Sequence, residues 1–250
     1  MGNKKKYILI TGASSGIGRC LAISLSVRYN IILHGRNEER LYETRALCCK
    51  DNEQLIFKLD LVKVDEIENR FSAFIAENNI EVEHFVHCAG FMKMLPIKMI
   101  KLDMINTTFA TNVTSAFLLT KVLMQRKVNA SALKSIVFIS SNISNYGAKA
   151  FSIYAASKGA LDSLMRCLAV ELAPKVRVNS VLPGAIDSEM TKNIFKNKEM
   201  LDRMLATYPL GIGKPEDIYE MVDFLLSEKS RWITGQQFTV DGGRTINITG

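Results

Sequence analysis

Tyr7-Ile8-Leu9-Ile10-Thr11-Gly12-Ala13-Ser14-Ser15-Gly16-Ile17-Gly18 decides how this 250-residue chain folds. The apolar run 7–11 reads as a buried strand, and from Ile17 the apolar residues recur with a helical period up to residue 29. Between strand and helix stand three glycines spaced Gly-x-x-x-Gly-x-Gly. A strand that turns sharply into a helix needs backbone freedom, and a helix start offers unpaired N–H groups. Gly12 allows the tight turn, Gly16 lets the backbone approach an anion, and Gly18 permits close helix–strand packing. Ser14, Ser15 and Ile17 complete the loop. The loop and the helix N-terminus together suit a pyrophosphate, so this is a nucleotide-binding candidate. Its position between a strand and a helix matters more than the glycines alone.

The same alternation continues along the chain. Residues 31–34, 55–59, 84–88, 135–140, 176–181 and 237–240 read as strands. Residues 38–50, 64–78, 107–125, 153–172 and 216–227 read as helices. Several strands, such as Ile136-Val137-Phe138-Ile139, are apolar throughout, which fits burial on both faces of a parallel sheet. Repeated βαβ units imply an α/β fold of the Rossmann type, a doubly wound parallel sheet. No linker, repeat or low-complexity tract divides the chain, so one domain over residues 1–250 is expected. The stretch 185–213 breaks the rhythm, being polar, Met-rich and long for a connection. It reads as a lid over a site, or as a pair of surface helices.

Bulk properties exclude several classes. A hydrophobic content of 48% indicates a sizeable core. No apolar run reaches membrane-spanning length, and the N-terminus lacks a signal-peptide core. Five cysteines (Cys20, Cys48, Cys49, Cys88, Cys167) and three histidines (His34, His84, His87) show no metal-ligand spacing. Reduced thiols and a cytoplasmic location are expected, with no metal. His87 beside Cys88 suggests either a reactive thiol or a packed strand end. The net charge is +7, but residues 1–50 hold nine Lys or Arg against three Glu. The excess lies around the glycine loop, which argues for a bound phosphate rather than a nucleic-acid or membrane partner. Lys4–Lys6 read as a solvated tail.

Two further groups carry chemistry. The second predicted strand ends in His34-Gly35-Arg36-Asn37, with no acid there to hold a ribose 2′-hydroxyl. Arg36, assisted by Asn37, suits a 2′-phosphate, which predicts NADP(H) in preference to NAD(H). Tyr154 and Lys158 stand four residues apart on a predicted helix, on one face. An ammonium beside a phenol favours the phenolate, so Tyr154 is an acid–base candidate for a carbonyl or an alcohol. Ser141, thirteen residues upstream, would bind the same oxygen. The neighbouring Ser140 leaves that register open.

Taken together, the glycine loop, Ser141 and Tyr154-x-x-x-Lys158 resemble the short-chain dehydrogenase/reductase family, in its compact branch, over essentially the whole length. Asp60-Leu61 resembles the family's adenine-contacting pair. Cys88-Ala89-Gly90 resembles its Asn-Ala-Gly, with His87-Cys88 in place of two asparagines. Asn112 sits where the family keeps a catalytic asparagine. Pro183, Gly184, Ile186 and Ser188 resemble the segment beside the nicotinamide, Ser188 replacing the usual threonine. The resemblance implies an NADPH-dependent carbonyl reductase, reversible as an alcohol dehydrogenase. Tyr154 would donate the proton, Lys158 would lower its pKa and hold the ribose, Ser141 would polarise the carbonyl, and Asn112 would support a water. It also implies a homodimer or homotetramer through helices 107–125 and 153–172. A small-molecule carbonyl or alcohol, or a 3-oxoacyl thioester on a carrier protein, is the expected substrate. Arg126, Lys127 and Lys175 are either docking points for an acidic carrier or solvated helix ends. The alternative is a non-catalytic NADP(H)-binding sensor or scaffold of the same fold.

Overall fold

The computed structural model of the chain describes residues 4–192, 196 and 198–247. The first three residues, part of the proposed lid (193–195 and 197) and residues 248–250 lie outside that description. Seven strands form one sheet in the order β3-β2-β1-β4-β5-β6-β7. They are β1 (Lys6–Thr11), β2 (Asn30–Gly35), β3 (Gln54–Lys58), β4 (Glu81–His87), β5 (Ser135–Ile139), β6 (Arg177–Pro183) and β7 (Gln237–Val240). Every pairing is parallel. Thr11 lies level with His34 on one side and His87 on the other, so the loops that leave these strands emerge at one edge. The chain steps outward from β1 to β3 and returns to β4, which opens a crevice at the reversal.

Alternation along each strand explains the continuous apolar runs. Tyr7 and Leu9 face a core with Phe57, Phe71, Phe85 and Phe138, beneath α3 (Val64–Glu77), α5 (Ser115–Met124) and α7 (Ser152–Glu171). Ile8 and Ile10 face the other core with Leu21, Leu33 and Val222, beneath α1 (Gly16–Leu25) and α9 (Pro215–Leu226). Both faces of the central strands are therefore dry, as a sheet between two helix layers requires. α2 (Glu38–Leu47) covers the β2–β3 end, and its N-terminus is capped by Asn37, whose side chain accepts from the Arg40 N–H at 3.1 Å.

Several boundaries differ from those read off the sequence. The first helix ends at Leu25 rather than residue 29. Ser26 donates to the Ile23 carbonyl at 2.6 Å and accepts from the Cys49 N–H, a local bonding pattern that competes with helix. The fourth strand spans Glu81–His87 and excludes Cys88, whose N–H turns to the Thr11 hydroxyl. Helix 107–125 starts earlier, as α4 (Leu102–Phe109), and passes through a π-helical turn (Ala110–Thr114) before α5. Lys5 and Lys6 are exposed, as a solvated tail would be, yet they pair with Glu53 at 2.9 Å and Glu83 at 3.5 Å. The 185–213 segment contains α8 (Lys198–Thr207). Its two ends are stitched together by Asp187 N–H to Gly213 O and Gly213 N–H to Ala185 O, so the excursion leaves and returns at one point. Among the described residues no helix is long and apolar enough to cross a membrane.

All three histidines are buried in the sheet, and desolvation lowers their pKa values, to about 4 for His34 and His84 and about 3 for His87. The folded values lie below the unfolded 6.5. Their neutral forms therefore cost nothing above pH 6.5, and stability is lost as pH falls from there towards 4. The loss should reach on the order of 1–3 kcal/mol per histidine. Urea midpoints measured from pH 7 to 4 should show this fall, and His84→Gln should flatten it. An unchanged slope in the variant would remove His84 from the account.

Candidate active site

The loops at the carboxyl edge of the sheet enclose a cleft of about 660 Å³. It is lined by the glycine loop, by the segments after β2, β3, β4 and β6, and by the start of α7. The candidate cofactor-binding residues, with Ser141, Tyr154 and Lys158, line this cleft. Gly12, Ser14, Ser15, Gly16, Ile17 and Gly18 line it after β1. Gly12 adopts φ +71°, and a Cβ there would meet the Ala89 backbone at 2.9 Å. A Cβ at Gly18 would meet the Gly12 carbonyl at 2.3 Å. No side chain fits at either position, so the loop is a backbone cradle under the N-terminus of α1. Ser15 caps that helix without a side-chain bond, which leaves N–H groups for a ligand anion.

The junction between β1 and β4 rests on one hydroxyl. Thr11 Oγ1 is fully buried and accepts from the N–H groups of Cys88 and Ala89, both at 3.1 Å. It lies 3.0 Å from His87 Nδ1. With its lone pairs engaged, Thr11 donates its own proton to His87 Nδ1, which the depressed pKa of His87 keeps free to accept. His87 thus fills a structural position at the strand end. Burial pushes the Cys88 thiol up to about 12, so Cys88 is a packed residue and not a reactive thiolate. Ala89 and Gly90 follow it along the cleft wall.

Tyr154 and Lys158 sit one turn apart on α7, both buried, with the Lys158 amine 5.6 Å from the centre of the phenol ring. Lys158 Nζ donates to the Ile139 carbonyl at 2.7 Å. Ser141 lines the cleft beside the Tyr154 phenol and favours its ionised form, whereas Ser140 turns away and donates to Asp162 Oδ2 at 2.9 Å. Asn112 is fully buried in the π-helical turn. Its Oδ1 accepts from Phe91 N–H at 2.7 Å, and its Nδ2 donates to Phe91 O and to Ser157 Oγ. Both donors are used, and one lone pair of Oδ1 remains.

The protonation states correct one expectation. Burial, more than any neighbouring charge, sets both: it raises Tyr154 to about 12 and lowers Lys158 to about 8. The Ser141 hydroxyl only partly offsets the rise. The expected lowering of the phenol by Lys158 is not what this arrangement produces. Tyr154 holds its proton at neutral pH, which is the form a proton donor needs.

At the other end of the cleft Arg36 is exposed after β2, and Asp60 and Leu61 line the wall after β3. Asn37 caps α2 through its side-chain oxygen, a bond that leaves its amide N–H groups uncommitted at the cleft wall beside Arg36. After β6 come Pro183, Gly184, Ile186 and Ser188, whose hydroxyl lies 3.3 Å from Thr191 Oγ1. Sequence reading passed over Arg40 and Glu189, which pair across the cleft between α2 and the base of the 185–213 segment. The signal was partial: Arg40 is a second arginine four residues beyond Arg36, in the first turn of α2, and both line the cleft. Asp162 was also missed, because its partner Ser140 is distant in sequence. Arg126, Lys127 and Lys175 are exposed at the opposite, amino edge of the sheet, before β5 and β6. A carrier docked there would not face the cleft, which leaves them as solvated helix ends. Among the described residues no group of three His, Cys, Asp or Glu is placed to hold a metal ion.

Comparison with known proteins gives four matches. Residues 12–245 match a family model described as enoyl-(acyl carrier protein) reductase. The chain is 31% identical to the L-rhamnose 1-dehydrogenase (NAD(P)(+)) of a Sphingomonas strain, over 97% of each chain. It is 32% identical to the L-xylulose reductase of Caenorhabditis elegans, over 97% of this chain and 96% of that one. Among solved structures, a short-chain type dehydrogenase/reductase from Mycobacterium ulcerans superposes with a TM-score of 0.87 at 29% identity, covering 99% of this chain and 92% of that one.

The Thr11 junction yields a direct test. Thr11→Val keeps the shape but leaves the buried N–H groups of Cys88 and Ala89 without an acceptor. The variant should lose about 1–3 kcal/mol of stability in urea unfolding. An unchanged midpoint would mean that those N–H groups find other partners.

Proposed function

The chain belongs to the short-chain dehydrogenase/reductase family, and from that premise we propose that it reduces a carbonyl to an alcohol with NADPH, reversibly. The observation that carries the reading is a protonated, buried phenol beside Ser141, with the Lys158 amine next to it, at the end of a cleft that begins in a glycine cradle. The cradle fits a dinucleotide: backbone approaches closely at Gly12 and Gly18, and the first N–H groups of α1 have no side-chain cap and are open to an anion. Arg36, exposed where an acid would otherwise hold a ribose 2′-hydroxyl, supports NADP(H) over NAD(H). When bound, the cofactor supplies a hydride.

The chain's own residues supply position and the proton. Ser141 and Tyr154 converge on the substrate oxygen, and the Tyr154 hydroxyl proton passes to that oxygen as it becomes an alcohol. Lys158 stabilises the phenolate left behind, and its amine is fixed by Ile139 O. The remaining Asn112 lone pair would hold a water beside Lys158. Ser188 would bond the nicotinamide amide, and Asp60 with Leu61 would flank the adenine. A 3-oxoacyl thioester is one substrate the site would accept. Exposed Phe117 and Met124 on α5 and Val170 on α7 support assembly of two or four copies through those helices.

Tyr154→Phe should fold and bind NADPH with near-native Kd while turnover falls by about two to four orders of magnitude. Retained turnover would take Tyr154 out of the scheme. Arg36→Ala should raise KM for NADPH selectively, and an equal loss with NADH would sink the 2′-phosphate assignment. Reduction needs the phenol protonated and Lys158 charged, conditions that hold below about 12 and about 8. Reductive kcat/KM should therefore be flat near neutrality and decline as pH rises through about 8.

A further inference from the structure

The strand ends divide the cleft into two halves of opposite chemistry. Beyond β2 and β3 stand Arg36, Arg40 and Asp60. Beyond β5 and β6, around Ser141 and Tyr154, the wall is formed by Phe91, Ile143, Phe151, Met190, Met204 and Tyr208. Phe151 packs edge-on to the Tyr154 ring at 6.4 Å. The Met190 methyl lies 3.8 Å from the point where a Gly90 side chain would begin, and Lys158 Nζ lies 3.7 Å from the same point. The Met190 methyl and the Lys158 amine therefore both border the space beside Gly90.

Several of the polar groups on this side are already engaged. Among the described residues the charged side chains here are Lys158, bonded to Ile139 O, and Glu189, paired with Arg40. Tyr208 Oη accepts from Ala185 N–H at 2.9 Å, and Asn142 Nδ2 donates to Asp241 Oδ2 at 3.4 Å. The hydroxyls of Thr107 and Thr111 complete the lining.

We propose, resting on the carbonyl-reductase reading above, that the substrate is an uncharged carbonyl compound with an apolar body, not a sugar or a sugar acid. A polyol placed here would bury hydroxyls that exceed the available partners, at about ten- to a hundredfold in binding for each one left unpaired. A carboxylate would find only Lys158, whose charge serves the Tyr154 phenol, and Arg40, which is paired with Glu189. Methylene groups, by contrast, displace water from Phe, Ile and Met surfaces, worth about fourfold each until the wall is covered. This runs against the sugar named for the Sphingomonas and Caenorhabditis relatives, and the acyl part of a thioester satisfies it.

The test uses the full-length protein with NADPH and three probe classes: 2-pentanone to 2-nonanone, L-xylulose, and levulinate (4-oxopentanoate). Reductive kcat/KM should rise several-fold per added methylene along the ketones and exceed that for L-xylulose and levulinate by at least a hundredfold. Saturation-transfer NMR on the NADP⁺ complex reads binding without turnover. Ketones that bind but are not reduced would overturn the reductase reading and leave the apolar assignment standing. Stronger binding or faster turnover of L-xylulose or levulinate, or binding of no probe at all, would overturn the apolar assignment. Ile143→Arg places a cation in the wall. It should raise levulinate turnover relative to 2-nonanone at least tenfold with the NADPH Kd unchanged. An unchanged ratio would mean that the Ile143 wall does not face the substrate.

Discussion

The hydrogen bond from Lys158 Nζ to the Ile139 carbonyl is the constraint on which the site depends. It joins the middle of α7 to the last residue of β5 while both are buried. A buried ammonium is costly unless its protons are satisfied, so the bond fixes the rotation and height of α7 against the sheet. Tyr154 is one turn earlier on the same face and inherits that position. Ser141 is two residues beyond Ile139 and inherits the other side. The Ser140–Asp162 bond repeats the link one turn further along α7. The phenol and the hydroxyl that meets it are therefore placed by backbone elements and not by their own contacts.

A second tie sets the far side of the same centre. Asn112 holds the backbone of Phe91 through both of its polar atoms and reaches Ser157 on α7. The segment after β4 is thus held to the helix that carries Tyr154. An ordinary α-helical turn at 110–114 would rotate the Asn112 side chain relative to the turns before and after it. The π-helical turn adjusts that rotation, a known use of such turns at functional sites. Thr11 plays the corresponding part between β1 and β4. Where two asparagines would stand in the resembled pattern, a buried histidine takes the hydroxyl proton and two backbone N–H groups converge on the oxygen. A different side chain thus gives the buried Thr11 hydroxyl its partner.

Legibility in the sequence followed the kind of physics involved. The sheet was readable because strands buried on both faces must be apolar throughout, and the cradle because Gly12 and Gly18 leave no room for a Cβ. Tyr154 and Lys158 were readable because helix spacing is local. The π turn and the Ser140–Asp162 bond were not, since each depends on packing between segments far apart in the chain. The protonation state of Tyr154 was misread for a related reason. A neighbouring charge shows in the sequence, but burial does not, and here burial is the larger cause. The second duty of Asn37, as the cap of α2, depends on where that helix begins and was not read from the sequence.

The two halves of the sheet give the cleft different walls. Of the nine basic residues within positions 1–50, Arg36 and Arg40 line it after β2, whereas Lys5, Lys6 and Arg28 pair elsewhere with Glu53, Glu83 and Asp223. The second half comes from β4 to β7 and delivers aromatic and thioether side chains to its own loops. In a low-dielectric wall of that kind, a buried Lys158 acts on a phenolate more strongly than it would in water. The same wall raises the energy of any unpartnered hydroxyl or charge brought against it. The apolar lining that keeps Tyr154 protonated and the apolar lining that selects the substrate are therefore one feature. A change that opened this wall to polar substrates would also lower the Tyr154 pKa.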